Sequence, residues 1–148
     1  MTEDSLPSPP PEAATAAPPP ADETLERELR SWIIALAGWL VPGLGHALQK
    51  MWGRAFVVFT AVGLLVFTGA SMRGNVFTSN GGDAFDTLGY IADLGTGCFY
   101  LMARALERGG ADVSHAQGDY GTRFLATAGV LNLLAALHAY EAARGKKA

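Results

Sequence analysis

One stretch of the chain, AFVVFTAVGLLVFTGASM at residues 55–72, restricts the possible folds most strongly. Its eighteen residues carry no charge, and Arg54 and Arg73 stand directly before and after it. A helix on the surface of a soluble protein shows a polar stripe along one side, and this stretch shows none. Because a membrane-spanning helix needs about 20 mostly apolar residues, the stretch is predicted to cross a lipid bilayer.

Three further apolar stretches accompany it. Residues 31–48 contain no Asp, Glu, Lys or Arg, residues 90–106 are interrupted by Asp93 and two glycines, and a last stretch starts at Thr122. The predicted fold is all-α, a polytopic membrane protein with about four transmembrane helices, because each stretch approaches the length of a span. The predicted helices are 24–48, 54–72, 88–106 and 121–143. The alternative is a soluble bundle of unusually apolar helices.

The orientation of four such helices is not determined by charge. Six Lys or Arg would lie on the side of the two termini and the middle loop, namely Arg27, Arg30, Arg73, Arg144, Lys146 and Lys147. Five would lie opposite, namely Lys50, Arg54, Arg104, Arg108 and Arg123. Six against five gives no preference under the positive-inside rule. Trp32 and Trp52, twenty positions apart, are predicted to mark the two edges of the first span.

The first 22 residues differ from the rest of the chain. They hold seven of the eight prolines and no Lys or Arg, and residues 1–24 hold five of the fourteen acidic residues. Proline runs favour extended, solvated backbone, so residues 1–22 are predicted to be a disordered tail before a membrane domain at 23–148. No cleavable signal peptide is visible at the start. No basic patch suggests nucleic acid, and the single Cys98 cannot form an intrachain disulfide.

The segment VPGLGHALQKMWGR, residues 41–54, lies between the first two apolar stretches. Pro42 lacks a backbone donor and can end a helix, while Gly43 and Gly45 permit close backbone contact and positive φ. Gly53 and Arg54 precede the second stretch, where a charge would meet water. The segment is therefore interpreted as a tight turn between two membrane helices, since none of these features requires a substrate.

The segment PGLGHALQKMWGRA resembles the hairpin signature of bacterial relatives of the two-transmembrane-helix (TM-two) domain. The stretches DLGTGCFYLMARAL and GTRFLATAGVLNLLAALHAYEAARGKK are similar to those of small bacterial integral membrane proteins of unknown function with the same hairpin. The resemblance covers residues 31–147 and implies a multi-helix protein of the bacterial inner membrane, with no activity attached. Gln49 and Ala55 depart from the pattern, which commonly has glycine at these positions.

Polar side chains within the apolar stretches are candidate functional residues, because they are costly in a membrane. They are His46, Asp93, Asn132, His138 and Glu141. His46 is interpreted as bonding the hairpin backbone, Asn132 as bonding a neighbouring helix, and Asp93 as marking a helix N-terminus. His138 and Glu141 lie three apart on one helical face. Four crossings would put His46 and His138 on opposite sides of the membrane, so the two should not share an ion or a haem, and no metal or cofactor is predicted.

Small residues recur along the last stretch. Gly129, Ala136 and Ala143 are spaced by seven, and Ala135, Ala139 and Ala143 by four. This spacing lets membrane helices approach closely.

With no catalytic motif recognisable, the predicted function is non-enzymatic: a structural or assembly module in the lipid bilayer, packing with itself or with another membrane protein. One alternative is a small transporter or proton-handling protein using His46, Asp93 and Glu141; a weaker one is a membrane enzyme that needs partner subunits.

Overall fold

The computed structural model describes residues 21–77, 83–107 and 114–145. All of the predicted tail except Ala21 and Asp22 lies outside these ranges, and these two residues already begin the first helix. The described residues form six α-helices and no strand, so the all-helical prediction is confirmed for this part of the chain. The helices are α1 (Ala21–Leu40), α2 (Leu44–Leu48), α3 (Trp52–Ser71), α4 (Ala84–Leu94), α5 (Cys98–Leu106) and α6 (Ala116–Ala143).

Two of the predicted helices are each broken into two. The helix predicted at 24–48 divides into α1 and α2, and the one predicted at 88–106 divides into α4 and α5. At the first break Pro42 cannot donate a backbone hydrogen bond, and Gly43 adopts a φ of +84°. At the second break Gly97 adopts a φ of +63°. Glycine tolerates this left-handed backbone without a steric cost, so the chain turns sharply at both places.

Helix α6 is the central element. Along its last half it runs antiparallel to α1, with an ion pair of 2.5 Å between Arg144 and Glu28 near one end. Farther along, the Asn132 amide donates to the carbonyl of Trp39, only one residue before α1 ends. Asn132 lies near the middle of the apolar part of α6, so α1 reaches only about halfway along its partner.

Helix α3 accompanies α6 over most of its length, also antiparallel. Val57 near the start of α3 lines the same groove as Leu134, and near the other end Gly69 lies against Gly121 and Leu125. The main apolar core fills the space between α3, α5 and α6. Its buried residues are Val62, Val66, Val76, Ala103, Leu125 and Ala128.

Helices α4 and α5 form a second hairpin, which enters the helix bundle from the end opposite to the α1–α2 hairpin. The backbone of Ala92 in α4 lies against Gly129, and the turn at Gly97 lies against the carbonyls of Trp39 and Leu40. Helix α5 then runs back toward the segment after α3. Glu107, directly after α5, accepts a hydrogen bond of 3.2 Å from the amide of Val76 in that segment. The tips of the α1–α2 and α4–α5 hairpins therefore meet beside Asn132.

Two helices of the described part, α3 and α6, are long and apolar enough to cross a membrane. By length and composition alone this is weak support for a membrane location. Four transmembrane helices are not confirmed, because the breaks at 41–43 and 95–97 leave four pieces that are too short or too polar. The two tryptophans do not mark opposite edges of one span, as predicted. Trp32 contacts Tyr140 near the end of α6, and Trp52 begins α3. Both therefore lie at the same end of the bundle.

Candidate functional site

The meeting point of the two hairpin tips is held by one side chain. Asn132 is fully buried, and its Nδ2 donates to the carbonyl oxygens of Trp39 and Gly95, both at 2.8 Å. The last carbonyls of a helix have no partner within that helix. Asn132 supplies donors to the C-terminal ends of α1 and α4 together, and the Trp39 indole adds a bond of 3.2 Å to the carbonyl of Leu94.

Backbone contact without side chains completes this junction. A Cβ atom placed on Gly97 would lie 2.1 Å from the carbonyl oxygen of Trp39, and one on Gly129 would lie 1.6 Å from that of Ala92. Real Cβ atoms do not approach so closely, so both positions require glycine. The residues DLGTG, interrupting the third apolar stretch, are thus the tip of a hairpin.

Asp93 lies next to the last residue of α4, so its interpretation as a helix N-terminus was wrong. The side chain is buried, and Oδ2 accepts a hydrogen bond of 2.8 Å from the amide of Phe77. Oδ1 has no partner among the described residues. The carboxyl group therefore ties the segment after α3 to the α4–α5 hairpin, and Asp93 lines a small space together with Val76, Tyr100 and Leu125.

His46 and His138 meet directly. His46 Nε2 lies 2.9 Å from His138 Nδ1, and the two rings are stacked with centroids 5.2 Å apart. The sequence-based prediction that these histidines lie on opposite sides was wrong. It assumed one unbroken helix over 24–48, whereas the turn at Pro42 sends α2 back toward the C-terminal end of α6.

The environment of His46 disfavours the charged form of its ring. Burial lowers the pKa of the His46 imidazole, and the neighbouring His138 and Arg54 lower it further. In such a pair one ring donates its N–H to the bare nitrogen of the other. The accepting ring must then carry its own proton on the remaining nitrogen, which leaves one N–H directed away from the pair.

The other residues of the 41–54 segment support this arrangement. Pro42, Gly43 and Gly45 are buried, and a Cβ atom on Gly45 would lie 2.9 Å from that of Ala139. Gln49 directly follows the last residue of α2. Its Nε2 donates to the carbonyls of Gly45 and Ala139, at 3.0 and 2.9 Å. Gln49 therefore fastens the end of α2 to α6.

Two grooves lie on either side of the outer face of α6. The first, of about 420 Å³, runs between α3 and α6 from Arg54 and the histidine pair, past Val57 and Leu134. The second, of about 240 Å³, runs between α1 and α6 and is lined by Trp32, Leu36, Leu137 and others. A polar hollow of about 600 Å³ also separates the charged start of α1 from the end of α6.

The small residues of α6 contact helices of the same chain. Gly129 faces α4, Ala136 faces Gly38 of α1, and Ala139 faces Gly45 of α2. Ala135 lines the 420 Å³ groove, and Ala143 lines the polar hollow. Most of the small-residue face is therefore used within the chain, and an association with another chain must use another surface.

The residues proposed for proton handling are not brought together. Glu141 is exposed, Asp93 lies beside Leu125, and His46 lies beside His138. Leu125 and His138 are thirteen positions apart in α6, which is about 20 Å at 1.5 Å per residue. Across residues 21–77, 83–107 and 114–145, no group of three or more His, Cys, Asp or Glu could hold a metal ion.

The histidine pair and the Gln49 bonds are the features that sequence reasoning missed. The local pattern was ambiguous, because a Pro-Gly pair in the middle of an uncharged stretch is compatible with a turn as well as with a kink. A hairpin of two short segments at 31–48 would have placed His46 on the C-terminal side of the bundle.

Comparison with known proteins leads to one family. Residues 33–148 match a family of unknown function designated DUF6677. No curated protein and no solved structure matches the chain. The matched region leaves out the proline-rich tail and the first twelve residues of α1. It contains the turn between α1 and α2, the α4–α5 hairpin, the histidine pair and Asn132. The chain belongs to this family, DUF6677, whose function is unknown.

Proposed function

We propose that this protein is a non-enzymatic integral membrane scaffold that associates with a second copy of itself. In this proposal α3 and α6 cross the bilayer, while α1–α2 and α4–α5 are re-entrant hairpins from opposite faces. The observation that supports it is the apolar outer surface of α3, where Trp52 and Phe56 are each 71% exposed and Phe67 is 63% exposed. Water would be an unfavourable environment for such a continuous apolar surface.

The two breaks are compatible with this placement. Non-helical backbone is tolerated at membrane depth only where protein covers it, because its polar groups find no water there. Pro42, Gly43, Gly95 and Thr96 are all buried. The carbonyl groups of Trp39 and Gly95 are satisfied by Asn132.

Two spans and two re-entrant hairpins change the distribution of charge. The described cations on the side of the α1 start and the α6 end are Arg27, Arg30, Lys50, Arg54 and Arg144. Those on the other side are Arg73, Arg104 and Arg123. In the sequence Lys146 and Lys147 follow α6, and Arg108 follows α5. The positive-inside rule then favours a cytoplasmic location for the ends of α1 and α6.

Cysteine labelling tests this topology. In a Cys98→Ser background, single cysteines at Lys50, Asp83, His115 and Arg144 are treated with a membrane-impermeant maleimide in right-side-out and inverted vesicles. We expect Lys50→Cys and Arg144→Cys to label from the cytoplasmic side, and Asp83→Cys and His115→Cys to label from the opposite side.

Four complete spans would give a different pairing. Position 50 would then label together with position 115, and position 83 with position 144. That pattern would contradict the re-entrant hairpins. Release of the chain from membranes by alkaline carbonate would contradict the membrane location itself.

The surface proposed for self-association surrounds the groove between α1 and α6. Trp32, Leu36 and Leu137 are more than half exposed there. The ridge formed by Leu137 borders a groove that a second copy of the same ridge can enter, as helix packing requires. A two-fold axis would bring this patch onto the same patch of a partner.

Cross-linking tests the association. Leu137→Cys, in the Cys98→Ser background, is expected to form a disulfide-linked dimer on oxidation in membranes, with twice the 15.5 kDa mass of the chain. The matched control is Leu64→Cys on α3, because Leu64 is 61% exposed and Leu137 is 54% exposed. The control should stay monomeric. Equal cross-linking of both variants, or of neither, would contradict the proposed surface.

A further inference from the structure

The groove between α3 and α6 combines an apolar trough with a polar end. Its walls include Val57 and Val58 from α3 and Leu131 and Leu134 from α6. At one end lie Arg54 and the rings of His46 and His138. A volume of about 420 Å³ is within the range of sites that hold small molecules.

Arg54 is available to a ligand at this end. The side chain is exposed, and it makes no hydrogen bond or ion pair with another residue in the described part of the chain. A Cβ atom added to the neighbouring Gly53 would meet no atom within 4 Å, so the mouth of the groove is open. A guanidinium group recognises phosphate oxygens by two parallel hydrogen bonds.

The histidine pair adds a donor beside this cation. The ring that accepts the shared hydrogen bond carries a proton on its other nitrogen, and that N–H is directed away from the pair. His138 is the less buried of the two rings and lines the groove. Trp52, 71% exposed at the start of α3, is typical of the headgroup level of a membrane. The polar end therefore lies where lipid phosphates would be, with the apolar trough extending toward the acyl chains.

We propose that this groove binds an anionic phospholipid, with its phosphate at Arg54 and the His46–His138 pair and one acyl chain between α3 and α6. Basic pockets between membrane helices bind such headgroups in other proteins. The proposal rests on the membrane placement given above, but not on self-association. The hydrogen bonds within the described part of the chain give no partner to the outward N–H of the histidine pair. The proposal assigns this N–H a ligand.

The test uses the full-length chain in mixed-lipid nanodiscs containing phosphatidylglycerol and phosphatidylcholine with identical acyl chains. Lipids retained after transfer to detergent are counted by native mass spectrometry. We expect preferential retention of one phosphatidylglycerol per chain. Arg54→Gln should weaken that retention at least ten-fold, because the variant loses the charge-assisted hydrogen bonds to the phosphate. Lys50→Gln, which removes a nearby cation outside the groove, should leave it unchanged.

Two further arms separate the possible sources of the phosphate. Val57→Trp, which narrows the trough without changing charge, should also reduce retention if an acyl chain lies there. Millimolar inorganic phosphate should not displace the lipid. Equal retention of the two lipids, insensitivity to Arg54→Gln, or full displacement by inorganic phosphate would each overturn the proposal. A monomer that still retains phosphatidylglycerol would contradict only the self-association.

Discussion

Replacing Gly129 with alanine is expected to destabilise the folded chain by about 3 kcal/mol or more, which is the upper end of what overpacking a core costs. The new methyl group would lie 1.6 Å from the carbonyl oxygen of Ala92, so the backbone of α4 has to move. That movement would pull the turn at Gly95 away from Asn132. The measurement is the loss of helical circular dichroism on heating or on titration with sodium dodecyl sulfate.

Gly53→Ala is the matched control. A Cβ atom on Gly53 meets nothing within 4 Å, and alanine is favoured over glycine in a helix by about 1 kcal/mol. This variant should therefore unfold at the same temperature as the wild type or slightly above it. Equal stability of Gly129→Ala and Gly53→Ala would show that α4 does not pack against Gly129 as described.

The same contact changes the interpretation of the small residues in α6. A large residue at Gly129 or Ala139 would disturb the chain's own packing, against α4 and α2 respectively. Loss of a dimer in such a variant could therefore result from unfolding of the chain as well as from loss of the interface. Exposed positions such as Leu137 test association more directly, because the fold does not depend on their side chains.

Sequence reasoning predicted well what a local pattern determines. The predicted helix at 54–72 corresponds to α3, which begins two residues earlier and ends one residue earlier. An uncharged apolar stretch between two arginines favours a single uninterrupted helix. The helical class was also readable. These features depend on residues close together in the chain.

The direction of each helix after a break was not readable in the same way. Pro42 and Gly43 are compatible with a kink within one span and with a reversal halfway through it. The choice depends on whether distant residues satisfy the freed carbonyls, and here Asn132, 93 positions from Trp39, does so. The pairing of His46 with His138 follows from that reversal, so a wrong topology produced a wrong site.

Loss of the Asn132 amide is the second substitution with a large expected effect. In Asn132→Leu the carbonyl oxygens of Trp39 and Gly95 would remain buried without a donor. Each unsatisfied buried group costs about 1–3 kcal/mol, so for the two carbonyls we expect a destabilisation of about 2–6 kcal/mol. Because the two carbonyls belong to different hairpins, both tips should loosen. Backbone amides near residues 40 and 95 should then exchange hydrogen faster than in the wild type, measured in the detergent in which the wild type is folded.

Two further variants separate the lost donors from the changed shape. Asn132→Asp keeps the size of the side chain but replaces the amide donors by carboxylate oxygens that face carbonyl oxygens, so it should be at least as harmful as Asn132→Leu. Val130→Ala on the same helix shortens a side chain that is 49% exposed, and should change stability little. If Asn132→Leu instead matched Val130→Ala in unfolding and in hydrogen exchange, the hairpin tips would be held by packing alone. The double hydrogen bond of Asn132 would then have no structural role.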